Sequence, residues 1–325
     1  MSNSTRPSLS RLKVLLSRQD PPTFGDGYIP AILATREEAP SSSRYAQYFD
    51  RRLGRAVHFL SQQEQKVGLI LLYCPTLFEL QEQRVIHFDS RPHPLDGHPR
   101  AGRTRFQPLR GACEVAESLG VLKHYPVIRF SQGGVCLRLP YVLVGDLLGF
   151  FMGARGPYCV NLNVKATRED FHHPTPWTRL SVDQGTSCEK VAARHLIERV
   201  RYEEAGIRTV EVAAQEQVDD ALFANLRSIF LWQKRRCNLP DQLQREIIDE
   251  FRSGALTGLS ALDVMKRLVE RQNTLQIEQL KRVFFQAIWR RKLRLDLFQP
   301  VLVDEAMQPE KRDLLEVYAD WIEQR

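Results

Sequence analysis

Cysteine is sparse in this sequence, and what there is stays scattered. Its six residues (Cys74, Cys113, Cys136, Cys159, Cys188, Cys237) include no C-x-x-C pair, which argues against both a disulfide scaffold and a zinc site. Histidine adds no metal signature. Among the eight present, only the doublet His172-His173 and the loop pair His93 and His98 come near one another, and none has an i, i+4 partner on an expected helix. No apolar run is long enough to span a bilayer. The N-terminal stretch MSNSTRPSLSRLKVLLSRQDPPTF carries basic residues but neither the apolar stretch nor the small-residue cleavage site of a signal peptide. These absences set the expectation of a reducing, cytoplasmic setting.

Positive charge is in better supply. The chain holds 46 Lys and Arg against 39 Asp and Glu, a net charge of +7. That balance favours an anionic partner such as nucleic acid, although a solvated basic surface accounts for it equally well. At 325 residues, 43% hydrophobic and 26% charged, the chain has room for two ordinary globular domains and an arm. Residues 1–45, rich in Ser, Pro and Arg, are expected as an extended N-terminal arm. Tyr45–Leu60 suggests a short hairpin turning at 51–55. Ser61-Gln62-Gln63-Glu64 is a capping box opening an apolar helix that Cys74-Pro75 stops. Leu77–His87 alternates as a strand, and 88–123 is a loop-rich insertion with a short helix over Val115–Leu122. Tyr125–Phe130 is a further strand. After the polar loop that follows Lys165, a helix over Ser187–Glu204 presents Val191, Ala192, Leu196 and Val200 on one face, and Ile207–Val212 is a strand. The order is the αβββαβ core of PD-(D/E)XK (restriction-endonuclease-like) nucleases, an α/β mixed-sheet fold expected over 46–232. Beyond it, four helical patterns and an alternating Leu293–Phe298 suggest an all-helical or winged-helix C-terminal domain over 233–325. Its Lys281, Arg282, Arg290, Arg291 and Arg294 make either a binding face or a solvated one.

The most informative stretch is Tyr141–Thr167. Two apolar runs flank a Gly/Arg/Pro turn, which is a hairpin signal. The second run sets Val160, Leu162 and Val164 on one face and Asn161, Asn163 and Lys165 on the other. The first reads as a central strand with Asp146 in its middle, where a carboxylate is costly unless paired or metal-bound. Pairing would bring Asp146, Asn163 and Lys165 to one end of the sheet. On residues alone, Asp146 as a satisfied core carboxylate, Lys165 as a solvated lysine and Glu64 as an N3 cap reaching the Ser61 N–H remain open beside a metal-dependent nuclease site.

Five motifs follow in order: Gly25-Asp26-Gly27-Tyr28-Ile29-Pro30; Pro40-Ser41-Ser42; Gly54-Arg55, with Val57-His58 and Leu60-Ser61-Gln62-Gln63-Glu64; Glu82-Gln83; and His124-Tyr125-Pro126-Val127-Ile128-Arg129. From Gly25 to about Glu211 the chain thereby resembles TnsA, the endonuclease subunit of heteromeric Tn-seven-type cut-and-paste transposases. The resemblance implies catalytic roles for Glu64, Asp146 and Lys165, with Asn163 standing where the family has Gln. It implies a Mg²⁺ site, also open to Mn²⁺, formed by Glu64, Asp146, Asn163 and the Val164 carbonyl. It further implies a bacterial enzyme acting on DNA, cutting the 5′ strand at transposon ends. The partners it implies are a DDE-type (TnsB-like) recombinase and an AAA+ (TnsC-like) regulator, with little activity from the isolated subunit. A catalytically decayed DNA-binding scaffold is the alternative, and a winged-helix regulator with an unrelated N-terminal domain a third.

Overall fold

The protein is described by a computed structural model covering residues 7–41, 43–173 and 184–324. Its first element, helix α1 (Leu9–Gln19), starts at Ser8, whose hydroxyl accepts the Arg11 N–H. The expected extended arm is corrected by this helix. Leu9, Leu12, Leu15 and Leu16 carry helical spacing, and Leu12 and Leu15 are buried. The segment is also tied down. Gln19 Nε2 donates to the Gln83 carbonyl (3.1 Å), Gln19 Oε1 accepts the Val85 N–H (2.7 Å), and the Tyr28 hydroxyl donates to the Glu82 carbonyl (2.7 Å).

Strands β1 (Ala46–Asp50) and β2 (Arg55–Phe59) form the expected antiparallel hairpin. Helix α2 (Gln62–Tyr73) follows, with the Ser61 hydroxyl accepting the Glu64 N–H. It is buried at every position from Glu64 to Tyr73, as suits a helix enclosed by other elements. Gly68 allows its close approach to the hairpin, since a Cβ there would lie 2.2 Å from the Phe59 ring. Strand β3 (Leu77–Glu82) is buried on both faces, and the expected alternation through His87 is corrected. Gln83, at φ +46, breaks the run, and after Arg84 the short strand β4 (Val85–Ile86) follows. The insertion contributes helix α3 (Ala112–Ser118), starting earlier than expected. Its Leu95, Leu109 and Val115 share a cluster with Phe78, Phe150 and Tyr202. A hairpin of β5 (Val127–Gln132) and β6 (Val135–Pro140) precedes β7 (Leu143–Val144), β8 (Leu147–Gly153) and β9 (Gly156–Lys165).

The run 141–151 is two strands, not one with Asp146 at its middle. β7 pairs with β4, whereas β8 pairs with β3 and β9. The breaks coincide: Gln83 N–H donates to the Asp146 carbonyl (3.0 Å) and Gly145 N–H to the Arg84 carbonyl (2.9 Å). Both chains therefore change sheet at the same level, and Asp146 sits at that joint. The β8–β9 hairpin itself is present, with Gly153 opposite Gly156 and Leu147 opposite Leu162. Part of the polar loop after Lys165, residues 174–183, lies outside the described residues, as does Ser42. Helix α4 (Gln184–Glu204) then returns the chain to β10 (Arg208–Ala213), parallel to β9. The resulting mixed sheet has the order β10-β9-β8-β3, and its elements occur as α2, β3, β8, β9, α4, β10.

The buried face of α4 differs from expectation. Ala193, His195, Ile197, Glu198, Arg201 and Tyr202 face inward, while Ala192 is exposed. Two of the polar side chains are met by partners: Arg201 Nε donates to the Arg110 carbonyl (2.6 Å), and Asn161 Nδ2 donates to Glu198 (3.1 Å).

The C-terminal part is helical: α5 (Ala214–Gln217), α6 (Asp220–Phe230), α7 (Asp241–Leu256), α8 (Ala261–Arg271), α9 (Ile277–Trp289), α10 (Leu314–Val317) and α11 (Ala319–Ile322). The expected strand at Leu293–Phe298 does not form. Its pairing is a single bridge, Leu295 with Pro309, and its alternating Leu293, Leu295 and Leu297 are buried in the helical core instead. That core runs across residue 232 without interruption. Phe230 meets Tyr48 at 5.5 Å and Trp289 at 4.9 Å between ring centres, and Tyr73 meets Trp289 at 5.4 Å. Among the described residues no helix is long and apolar enough to cross a membrane.

Candidate active site

Helix α2 delivers Glu64 at its first turn. The capping-box expectation needs one correction: the carboxylate reaches not the Ser61 N–H but the Leu60 N–H (2.9 Å) and the Ser61 hydroxyl (3.0 Å). A third donor comes from across the sheet joint, where Gln83 Nε2 meets Glu64 Oε2 at 2.8 Å. The carboxyl is 8% exposed. Burial, and after it the nearby charge of Asp146, pushes its pKa up to about 8. Ordinary capping does not produce that. The usual N3 glutamate is exposed and ionised beside the positive helix end.

Asp146 is held from the other side. Its Oδ2 accepts the Val164 N–H at 2.8 Å, and the Lys165 ammonium lies 3.9 Å from the same oxygen. Oδ1 accepts no hydrogen bond among the described residues. Glu64, Asp146, Val164 and Lys165 line one open cleft of about 750 Å³, bordered by Arg44, Gln62 and Thr167. The turn after β9 closes one wall, with Asp170 accepting the Thr167 N–H and hydroxyl at 3.0 Å each.

Asn163 stands apart from this group. It is 1% exposed, does not line the cleft, and neither amide atom finds a hydrogen-bond partner. Helix α4 adds buried polar groups that the sequence did not single out. His195 has both ring nitrogens unpartnered, and burial, reinforced by Arg194 and Lys165, lowers its pKa to about 3. Glu198 is fully buried with its pKa raised to about 7 by burial, opposed by Arg194 and supported by Asp146. The signal was the i, i+3 spacing of these two residues on an otherwise amphipathic helix, which places both on one face. Gln83 was visible only as half of a motif. Its amide and backbone connect the Glu64 carboxylate to the main chain of Asp146, since its side chain holds Glu64 and its N–H donates to the Asp146 backbone carbonyl. A non-glycine residue at φ +46 is strained, and such strain gathers at functional sites.

Of the basic C-terminal residues, Arg291 and Arg294 are committed within the fold, both to Asp313 (2.6 and 2.9 Å). Arg282 donates to the Arg236 carbonyl.

A scan of the chain against protein-family models finds no match, and a search of curated proteins finds none either. The functional reading therefore stands on the residues.

Proposed function

We propose that the chain is a Mg²⁺-dependent DNA endonuclease subunit of a heteromeric transposase, as its resemblance to TnsA implies. The element order α2, β3, β8, β9, α4, β10 supports a PD-(D/E)XK-type core, and the helical C-terminal part supports a partner- or DNA-contacting module of winged-helix kind. The observation that carries the reading is the shared cleft. Two carboxylates from different elements meet there, one with its pKa raised to about 8, and the Lys165 ammonium stands 3.9 Å from Asp146.

The residues present fit a hard divalent cation. Glu64 and Asp146 offer carboxylate oxygens and Val164 a main-chain carbonyl, and no Lys or Arg forms an ion pair with Glu64 among the described residues. Among the described residues no group of three or more His, Cys, Asp or Glu gathers to hold a metal. That suits Mg²⁺ or Mn²⁺, which keep waters and accept few protein ligands, and disfavours zinc. Bound there, the cation would neutralise charge on the scissile phosphate and lower the pKa of a water. The protein's own groups do the rest. Gln83, Leu60 and Ser61 fix the Glu64 carboxylate, the Val164 N–H fixes Asp146, and Lys165 places positive charge where the phosphate develops negative charge. Asn163, buried away from the cleft, supplies no ligand in this arrangement and is the observation that favours a decayed scaffold.

Cleavage of labelled transposon-end DNA with Mg²⁺, with and without the partner recombinase, tests the reading. Cutting by the complex, lost in Asp146→Ala while assembly persists, is the expected result. Assembly without cutting by the wild type would leave the scaffold.

A further inference from the structure

A second cleft adjoins the first and shares Lys165 and Asp170 with it. Its volume is about 670 Å³, within the range of small-ligand sites. One wall is apolar, made by Pro126, Val127 and Leu143. Lys123, Lys190 and Arg194 supply positive charge; among the described residues none of the three forms an ion pair, and Arg194 donates to the Val144 carbonyl (2.6 Å). The acids nearby are already engaged: Asp170 by Thr167 (3.0 Å), and Glu189 by His124 (3.4 Å). His195 also lines the cleft at 5% exposure, with neither ring nitrogen hydrogen-bonded. A buried imidazole that lines an open cleft without a partner keeps hydrogen-bonding capacity for a ligand.

We propose that this cleft binds one unpaired nucleotide of the DNA strand next to the scissile phosphate. The base rests on the apolar wall, and the phosphate is met by Lys123, Lys190 and Arg194, with His195 hydrogen-bonding it or its sugar. The shared Lys165 makes the two clefts successive positions along one strand. A mostly apolar wall under a cationic rim fits a nucleotide better than a bare anion, because every base presents a π-face while the backbone carries the charge. The assignment of the neighbouring position as the cutting site rests on the function proposed above; the binding itself does not.

The test uses the full chain without Mg²⁺ and a short labelled oligothymidylate, read by fluorescence anisotropy across a salt series. The double variant Lys123→Glu/Lys190→Glu, at two exposed positions, is expected to bind at least about tenfold more weakly. Its salt slope should be shallower by about 0.7 for each phosphate that is no longer neutralised, with an unchanged thermal melt showing that it folds. Wild-type affinity in that variant would overturn the proposal. An abasic phosphodiester of equal length is expected to bind more weakly than oligothymidylate, and equal affinity would overturn the base contact. The two readings fail separately. Binding through this cleft without cleavage by the assembled complex would remove the nuclease and leave the cleft. Cleavage together with wild-type binding by the double variant would do the reverse.

Discussion

Two buried groups of charged side chains meet the chain at adjacent residues, Glu82 at the end of β3 and Gln83 just beyond it, and they are built to opposite ends. Glu82 faces Arg55, and both are enclosed. The guanidinium grips the carboxylate through two bonds of 2.8 and 3.0 Å, the His58 N–H adds a third at 2.8 Å, and the Tyr28 ring covers the guanidinium at 4.7 Å. Here Arg55 has its pKa raised, because the attraction of Glu82 outweighs the burial that opposes it. One residue further on, Gln83 turns to Glu64, and nothing cationic comes within ion-pairing distance of that carboxylate among the described residues. Its neighbour Asp146 has only Lys165, at 3.9 Å. The first group is neutralised internally and closed to water. The second opens to a cleft and lacks positive charge. That contrast is what supports the proposal of a cation and phosphate site at the second group.

The largest effect expected on activity tests the open group. Asp146→Ala should reduce cleavage to background and Lys165→Ala should reduce kcat by about a hundredfold or more, while neither lowers the melting temperature appreciably. A mutant complex that cuts as fast as the wild type would break the comparison at its functional end. The largest effect on stability belongs to the closed group. Glu82→Ala leaves Arg55 buried without its partner and should cost about 3–5 kcal/mol, measured by denaturant unfolding. A small loss there would mean that Glu79, 3.9 Å from Arg55, takes over.

What the sequence made legible follows the local signals. The β8–β9 hairpin declared itself through alternation and a Gly-flanked turn, and α2 through Ser61 and Glu64, because caps and periods are properties of neighbouring residues. Asp146 and Lys165 were visible as costly or well-placed side chains on those elements. Their meeting with Glu64 was implied only by the resemblance to TnsA and by no local pattern, since it depends on β3 and β8 lying side by side. Gln83 was illegible for the same reason: its left-handed backbone and its bond to Glu64 arise from a switch between sheets that no local pattern announces. His195 and Glu198 were masked by the habit of expecting apolar residues on the buried face of a helix. Leu293–Phe298 misled in the opposite direction, because an alternating run buries its leucines equally well against helices when its partner strand is too short to pair. Helix α1 carried a readable period that its Ser- and Pro-rich flanks concealed.

Gln83 joins the two halves of the comparison, so its substitutions separate positioning from backbone strain. Gln83→Ala and Gln83→Gly both remove the amide that steadies Glu64, and each should lower kcat by about tenfold or more, as loss of a group that orients a metal ligand does. Only glycine relieves the φ of +46, so Gln83→Gly should be more stable than Gln83→Ala by about 1 kcal/mol in denaturant unfolding. Activity that tracks stability across the pair, instead of falling equally in both, would show that the amide does not position the carboxylate.

The smallest expected effect is a pH dependence of the metal-free protein. Burial raises Glu64 to about 8 and Glu79 and Glu198 to about 7, against about 4.3 in an unfolded chain. Between those limits the folded protein keeps protons that the unfolded chain has released, so stability falls as pH rises. The buried histidines act with the opposite sign. His87 and His93 are lowered to about 4 and His195 to about 3, in each case by burial first. They stay neutral where the unfolded chain would be charged, and they add stability with rising pH only up to about 6.5. Above that value the carboxylates act alone, and the melting temperature should decline by a few degrees between pH 6.5 and 8. Glu79 and Glu198 finish titrating first, so the last part of that decline belongs to Glu64. Glu64→Gln should abolish that last part, whereas Glu79→Gln, in the closed group, should leave it and lessen only the earlier part, to which Glu198 and Glu64 also contribute. A decline that survives Glu64→Gln unchanged would show that the open group does not hold the unbalanced charge on which the comparison depends.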